Sequence, residues 1–114
     1  VQVFLNVIRN AVQALSDNKT EIPTIWIKTR IERNFTIRNT NYKMTCCVEI
    51  IDNGPGVPAG LLDRIFFPMI SGRIEGTGLG LSIAQSVIDT HHGLIKCVSK
   101  ANKTIFYIYL PLDK

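Results

Sequence analysis

The stretch Ile74-Glu75-Gly76-Thr77-Gly78-Leu79-Gly80-Leu81-Ser82-Ile83-Ala84-Gln85 carries three alternating glycines that run into an amphipathic segment. Its apolar spacing predicts a helix from about Leu79 to Thr90. A glycine loop that enters a helix leaves backbone N–H groups without internal partners, and the helix dipole favours an anion there. The pattern indicates either a phosphate site or a plain turn before a packed helix. It is not a dinucleotide fingerprint, because Leu81 replaces the third glycine.

The length of 114 residues predicts one domain over residues 1–114, and a hydrophobic content of 46% is enough for a core. The net charge of +4 is scattered along the chain. No apolar run reaches the roughly 18 residues that span a bilayer, and no signal peptide is visible. Cys46, Cys47 and Cys97 include no Cys-x-x-Cys pair, which indicates buried strand residues in a reducing compartment rather than zinc ligands. We expect a cytoplasmic piece of a longer protein.

A first helix is predicted from Val1 to Leu15, where apolar residues recur at helical spacing. Asn6, Asn10 and Gln13 form a polar stripe on another face of this helix. Asparagine is a poor helix former, because its amide competes with the backbone for hydrogen bonds. The stripe is either a solvated face or a set of amides that face a ligand, and an amide oxygen is a donor that Mg²⁺ accepts.

Two alternating, β-branched segments, Thr24 to Ile37 and Tyr42 to Ile51, predict a long antiparallel hairpin whose first strand has one buried face. The second strand runs into Asp52-Asn53-Gly54-Pro55-Gly56-Val57-Pro58. These residue types are also typical of a plain turn. An acid at the end of a hydrophobic strand is costly without partners, however, and a carboxylate suits an exocyclic amine such as that of adenine.

The segment from Gly60 to Glu75 lies between the two glycine motifs. It combines apolar anchors with a proline, glycines and Arg73, which indicates either an ordinary surface loop or a mobile lid. Leu94 to Ser99 and Thr104 to Leu110 predict a second hairpin, with its turn at Ala101-Asn102-Lys103.

Together these motifs resemble the catalytic, ATP-binding domain of sensor histidine kinases, in the superfamily shared with gyrase, a heat-shock chaperone and the MutL mismatch-repair proteins. The resemblance covers nearly the whole chain, and four motifs follow the family's order. They are an asparagine box at Asn6-Val7-Ile8-Arg9-Asn10-Ala11, a first glycine box from Asp52 to Pro58, a phenylalanine box at Phe66-Phe67-Pro68 and a second glycine box from Gly76 to Leu81. The segment from Phe67 to Arg73 is most similar to the nitrogen-regulation (NtrB-type) sensor kinases.

The resemblance implies an α+β fold, a two-layer α/β sandwich of the Bergerat type. In this sandwich a mixed sheet of about five strands packs on about three helices, with an ATP lid over about residues 57–77. It also implies a site for ATP and Mg²⁺, with Asn6, Asn10 and Arg73 as catalytic residues. Asn10 would ligate Mg²⁺, Asp52 would accept from the adenine amine, and Thr104 would lie near Asp52. The other residues implied around the nucleotide are Gln13, Gly54, Gly56, Val57, Ile65, Phe66, Gly76, Thr77, Gly78, Leu79, Gly80 and Leu81.

The implied function is donation of the γ-phosphoryl group of ATP to a histidine on a separate dimerisation domain, which then phosphorylates a nitrogen-regulation response regulator. ATP-hydrolysing relatives have a glutamate base at the position of Asn6, so a gyrase- or MutL-type ATPase is disfavoured. His91 and His92 lie outside the family's phosphoacceptor context. The alternative role is a docking module for a nitrogen signal protein. We expect a homodimeric parent, a monomeric isolated domain, and no direct nucleic-acid or membrane contact.

Overall fold

The computed structural model describes residues 2–17, 22–57, 65–66, 80–100 and 102–112. Its elements are helix α1 (Gln2–Asp17), strands β1 (Ile25–Ile37) and β2 (Thr40–Asp52), helix α2 (Gly80–Thr90), and strands β3 (Leu94–Lys100) and β4 (Lys103–Pro111). Both predicted helices and both predicted hairpins are confirmed, with every boundary within two residues of its prediction. Neither helix in these ranges is long and apolar enough to cross a membrane.

The four strands form one sheet in the order β1-β2-β4-β3, and all three neighbouring pairs are antiparallel. The mixed sheet that the resemblance implied is therefore wrong for the described strands. The connection through α2 makes β3 parallel to β2, but β4 returns between them, so the two parallel strands never become neighbours. The α+β class is confirmed. The described ranges contain four strands and two helices, without the fifth strand and third helix that were expected.

One face of the sheet and both helices share a hydrophobic core. Its buried members include Val3 and Val7 from α1, Ala84 and Ile88 from α2, and Ile50, Ile95, Phe106 and Ile108 from the sheet. On each helix the buried residues are four apart, so they lie on one stripe. Burying a large apolar side chain contributes about 1.5–3 kcal/mol. The core therefore holds both helices against one face of the sheet.

Strand β1 lies at the edge of the sheet, and the side chains in its first half are exposed on both faces. Trp26, Ile27 and Ile31 are 45%, 57% and 47% exposed. The predicted buried face of this strand is therefore wrong for most of its length. These side chains of β1 are exposed because this strand has a neighbour on one side only and the core helices cover the more central strands instead.

The opposite face of the sheet carries a smaller cluster around the end of the β1–β2 hairpin. Ile37, Cys47 and Tyr109 are buried there, and Phe35 stacks on Tyr109 with ring centroids 4.5 Å apart. Asn34 has a left-handed φ of 52° inside β1, which interrupts the regular alternation of side chains. Burial raises the pKa of Tyr109 to about 12. As expected, the three cysteines are free strand residues that are buried or half-buried.

Candidate functional site

Asp52 ends β2 on the core face of the sheet, and only 3% of the residue is exposed. Its Oδ1 accepts a hydrogen bond from the backbone N–H of Gly54 at 2.9 Å. This bond closes a local turn of the kind that aspartate favours directly after a strand. A buried carboxylate needs such donors to remain charged. Asp52 is thus a fixed acceptor where the strand meets the glycine loop.

Asp52 belongs to a polar row that crosses three strands at one end of the sheet. Thr104 is its cross-strand neighbour, and Ser99 is the neighbour of Thr104, so the three side chains share one face. Thr104 is buried. Burial and then the charge of Asp52 raise the pKa of Cys97 to about 12. The structure thus brings together the two residues that the resemblance implied at the adenine.

The loop from Gly54 to Val57 contacts the end of β3. The backbone N–H of Val57 donates to Ser99 Oγ at 2.6 Å. Gly56 has a φ of 86°, and a Cβ there would lie 2.6 Å from the carbonyl oxygen of Lys100, so the close approach requires glycine. Ser99 was absent from the predicted site. The register of the predicted second hairpin, which sets Ser99 opposite Thr104, is the signal that could have found it.

Asn53 has a structural role, because its side chain binds the backbone of the residues that precede β1. Its Oδ1 accepts from the backbone N–H of Thr24 at 2.9 Å, and its Nδ2 donates to the carbonyl oxygen of Ile22 at 2.8 Å. The side chain thereby joins the turn after β2 to the residues just before β1, and the Asn53 backbone N–H also donates to the carbonyl oxygen of Thr24 at 3.3 Å. Within the Asp52-Asn53-Gly54 turn, the aspartate faces the candidate site and the asparagine fastens the segment that enters the sheet.

Asn6 and Asn10 lie one turn apart on α1, beside its buried stripe. Asn6 is 9% exposed and Asn10 is half-buried, so a solvated face does not describe Asn6. Val7, which follows Asn6, is fully buried in the core. Gln13, one turn beyond Asn10, is half-buried. These three neutral amides offer oxygen atoms of the kind that Mg²⁺ accepts and N–H groups that suit phosphate.

All four sequence motifs are anchored in the same hydrophobic core. Val7 of the asparagine box is a member of this core, and Val57, Phe66 and Leu81 of the other three motifs pack against it. Phe66 meets Phe106 edge to face, with ring centroids 6.2 Å apart. Helices α1 and α2 also contact each other directly. The described parts of the motifs therefore surround one core instead of lying on separate surfaces.

Known proteins are similar to this chain over nearly its whole length. The family of histidine kinase-, DNA gyrase B- and HSP90-like ATPases matches residues 1–114. The chain belongs to this family. Its relatives include the sensory histidine kinase/phosphatase NtrB of Klebsiella oxytoca, 46% identical over 113 residues, and that of Vibrio alginolyticus, 48% identical over 111 residues. These matches cover 99% and 97% of this chain but 32% and 31% of the relatives, so the chain spans about a third of their length.

Solved structures of histidine kinases share this fold. The catalytic domain of the histidine kinase ThkA has a TM-score of 0.75 and 30% identity, over 96% of this chain and 64% of that one. The mycobacterial sensor histidine kinase MprB, at 23% identity, shares the fold with a TM-score of 0.69 over 96% of this chain and 70% of that one. The antiparallel sheet with its two helices is thus the architecture of a histidine kinase catalytic domain.

Part of the predicted site lies outside the described residues. This part comprises Arg73, Gly76, Thr77, Gly78 and Leu79, together with most of the predicted lid. Of the lid, Val57, Ile65 and Phe66 are described; Ile65 is buried and the other two are half-buried. Helix α2 begins at Gly80, within one residue of the predicted junction between the glycine loop and its helix. The phosphate-binding role of the second glycine box stays a prediction.

Proposed function

We propose that this chain binds Mg-ATP among α1, the Asp52 turn and the start of α2, and donates the γ-phosphoryl group to a histidine on a separate dimerisation domain of its parent protein. The shared core is the observation that supports this most. Val7, Val57 and Leu81 each belong to a nucleotide-binding motif of the ATPase family, and all three pack in one cluster. An ATP site built from these motifs requires them on one side of one sheet.

At the base end of the site, Asp52 is proposed to accept a hydrogen bond from the exocyclic amine of adenine. One carboxylate oxygen already accepts from the Gly54 N–H, and a carboxylate offers about four acceptor positions on its two oxygens. Guanine carries a carbonyl oxygen where adenine carries this amine, so the same carboxylate would repel it. Thr104, directly opposite Asp52 in the sheet, would assist through a water molecule.

At the phosphate end, the half-buried amide of Asn10 is proposed to hold Mg²⁺ through its oxygen, which fits a hard cation. The bound ion would neutralise charge on the phosphates. Asn6 and Gln13 would donate hydrogen bonds to phosphate oxygens, and Arg73 with residues 76–80 would enclose the rest of the triphosphate. Because Asn6 is an amide, it cannot remove a proton from water, and hydrolysis of ATP should therefore be slow.

The phosphoryl group is proposed to pass from the histidine to a response regulator of nitrogen regulation. The similarity to sensory histidine kinase/phosphatases also favours a second role. A protein with two opposed activities needs a switch, and docking of a nitrogen signal protein on this domain would supply one. Pull-down of such a protein by the chain, with and without nucleotide, distinguishes docking from ATP binding alone.

Calorimetric titration of the parent protein with ATP and GTP, with and without Mg²⁺, tests the main proposal. We expect ATP to bind, Mg²⁺ to tighten binding, and GTP to bind at least about tenfold more weakly. With radioactive γ-phosphate, label should appear on the separate histidine domain and not on this chain. Absence of ATP binding would contradict the proposed function. Stable label on His91 or His92 would contradict the assignment of the acceptor.

A further inference from the structure

We propose that Ser99 is a positioning residue for adenine recognition, because its hydroxyl group fixes the loop of residues 54–57 beside Asp52. This proposal rests on the proposed ATP site and extends it to a residue on β3. Ser99 lies 42 positions from Val57 along the chain, yet its Oγ accepts the Val57 N–H at 2.6 Å.

The loop is held at both of its ends by side chains of the polar row. Asp52 Oδ1 binds the Gly54 N–H at 2.9 Å, and Ser99 Oγ binds the Val57 N–H. Among the backbone–backbone hydrogen bonds outside helices and strands in the described residues, none involves residues 54–57. These two side chains therefore fasten the loop to the sheet at both of its ends.

Close packing restricts how the loop can move when the Ser99 bond is lost. A Cβ on Gly56 would lie 2.6 Å from the carbonyl oxygen of Lys100 and 2.8 Å from Ser99 Oγ, so the loop already touches the end of β3. Without the hydroxyl group, the Val57 N–H would lose its partner and the loop could shift relative to Asp52, which would change the space that adenine needs.

Ser99→Ala in the parent protein tests this proposal. Loss of one hydrogen bond between neutral groups should weaken ATP binding about fivefold. The KM for ATP should rise by the same factor, with kcat for transfer to the histidine unchanged. Affinity for adenosine should fall as much as affinity for ATP, because the loop acts on the base. Hydrogen exchange of the Val57 amide should become faster.

Val98→Ala is the matched control, since Val98 is the exposed neighbour of Ser99 on the same strand with its side chain on the opposite face. It should leave binding and Val57 exchange unchanged. If the unchanged parent protein binds neither ATP nor adenosine, the proposed function itself is refuted. If the parent protein binds ATP and adenosine, four results would overturn the role of Ser99. Ser99→Ala could leave both affinities unchanged, weaken the binding of ATP alone, or leave hydrogen exchange of the Val57 amide unchanged. Val98→Ala could also have effects equal to those of Ser99→Ala.

Discussion

Replacing Asp52 by asparagine should remove adenine recognition while keeping the fold. The two side chains have the same shape, and the single amide oxygen can keep the 2.9 Å hydrogen bond from the Gly54 N–H. The carboxylate has two acceptor oxygens and the amide has one, so the adenine amine would face an NH₂ group instead of an oxygen. Loss of a hydrogen bond to a charged acceptor costs about 1.5–3 kcal/mol, which corresponds to about 10- to 150-fold weaker ATP binding.

Calorimetric titration with ATP measures this loss, and urea unfolding checks the fold. The free energy of unfolding should change by no more than about 1 kcal/mol, because the Gly54 hydrogen bond is kept. Asp89→Asn is the matched control. Asp89 is an exposed acid whose carboxylate accepts a 2.8 Å bond from Arg38. It lies at the opposite end of α2 from Leu81, and its replacement should leave ATP affinity unchanged. A folded Asp52→Asn protein that binds ATP with the parent affinity would refute the adenine role.

Three further changes test other parts of the site. Asn10→Ala should lower Mg²⁺-dependent phosphoryl transfer at least about tenfold while adenosine still binds; transfer at the parent rate would count against metal ligation. Gly56→Ala should lower the free energy of unfolding in urea by about 1–3 kcal/mol, because its φ is 86° and the new Cβ would meet the Lys100 carbonyl; a change below about 0.5 kcal/mol would contradict this. Burial and the charge of Asp52 raise the pKa of Cys97 from 9.0 to about 12, so its neutral thiol stabilises the fold fully below pH 9 and progressively less up to pH 12. The unfolding free energy of the parent minus that of Cys97→Ala should therefore fall over that range, and a constant difference would show that Cys97 does not titrate in this way.

The local elements of the fold were predictable because each depends on neighbours in the sequence. The helical spacing around Val7 and the alternation in the strands indicated helices and hairpins, which the structure confirms. The sequence did not reveal where each strand lies within the sheet. Ile27 and Ile31 alternate as in a half-buried strand, but they are exposed because β1 lies at the edge of the sheet beyond the hydrophobic core. Likewise, no local pattern showed that β4 would insert between two parallel strands.

The candidate site was predictable to the extent that residue type and spacing define it. Asp52 and Thr104 were both expected near the adenine, and the register makes them direct neighbours. Ser99 depends on a contact that spans 42 positions of the chain, from a serine on one strand to the Val57 N–H. Serine is common on exposed strands, so its type alone gave no signal. Only the pairing of the second hairpin set it opposite Thr104.

The structure suggests that the two ends of the proposed site differ in how they are supported. At the base end, Asp52, Thr104 and Ser99 sit on three adjacent strands, and the loop of residues 54–57 is bonded to the first and last of them. At the phosphate end, the described support is the turn of α1 that carries Asn6 and the start of α2. In the proposed site, recognition of the base would therefore depend mainly on the sheet, whereas phosphate binding would depend on helices that the core positions. It follows that adenosine, which lacks phosphates, should report changes in the strand residues as fully as ATP does, and should be insensitive to changes on α1.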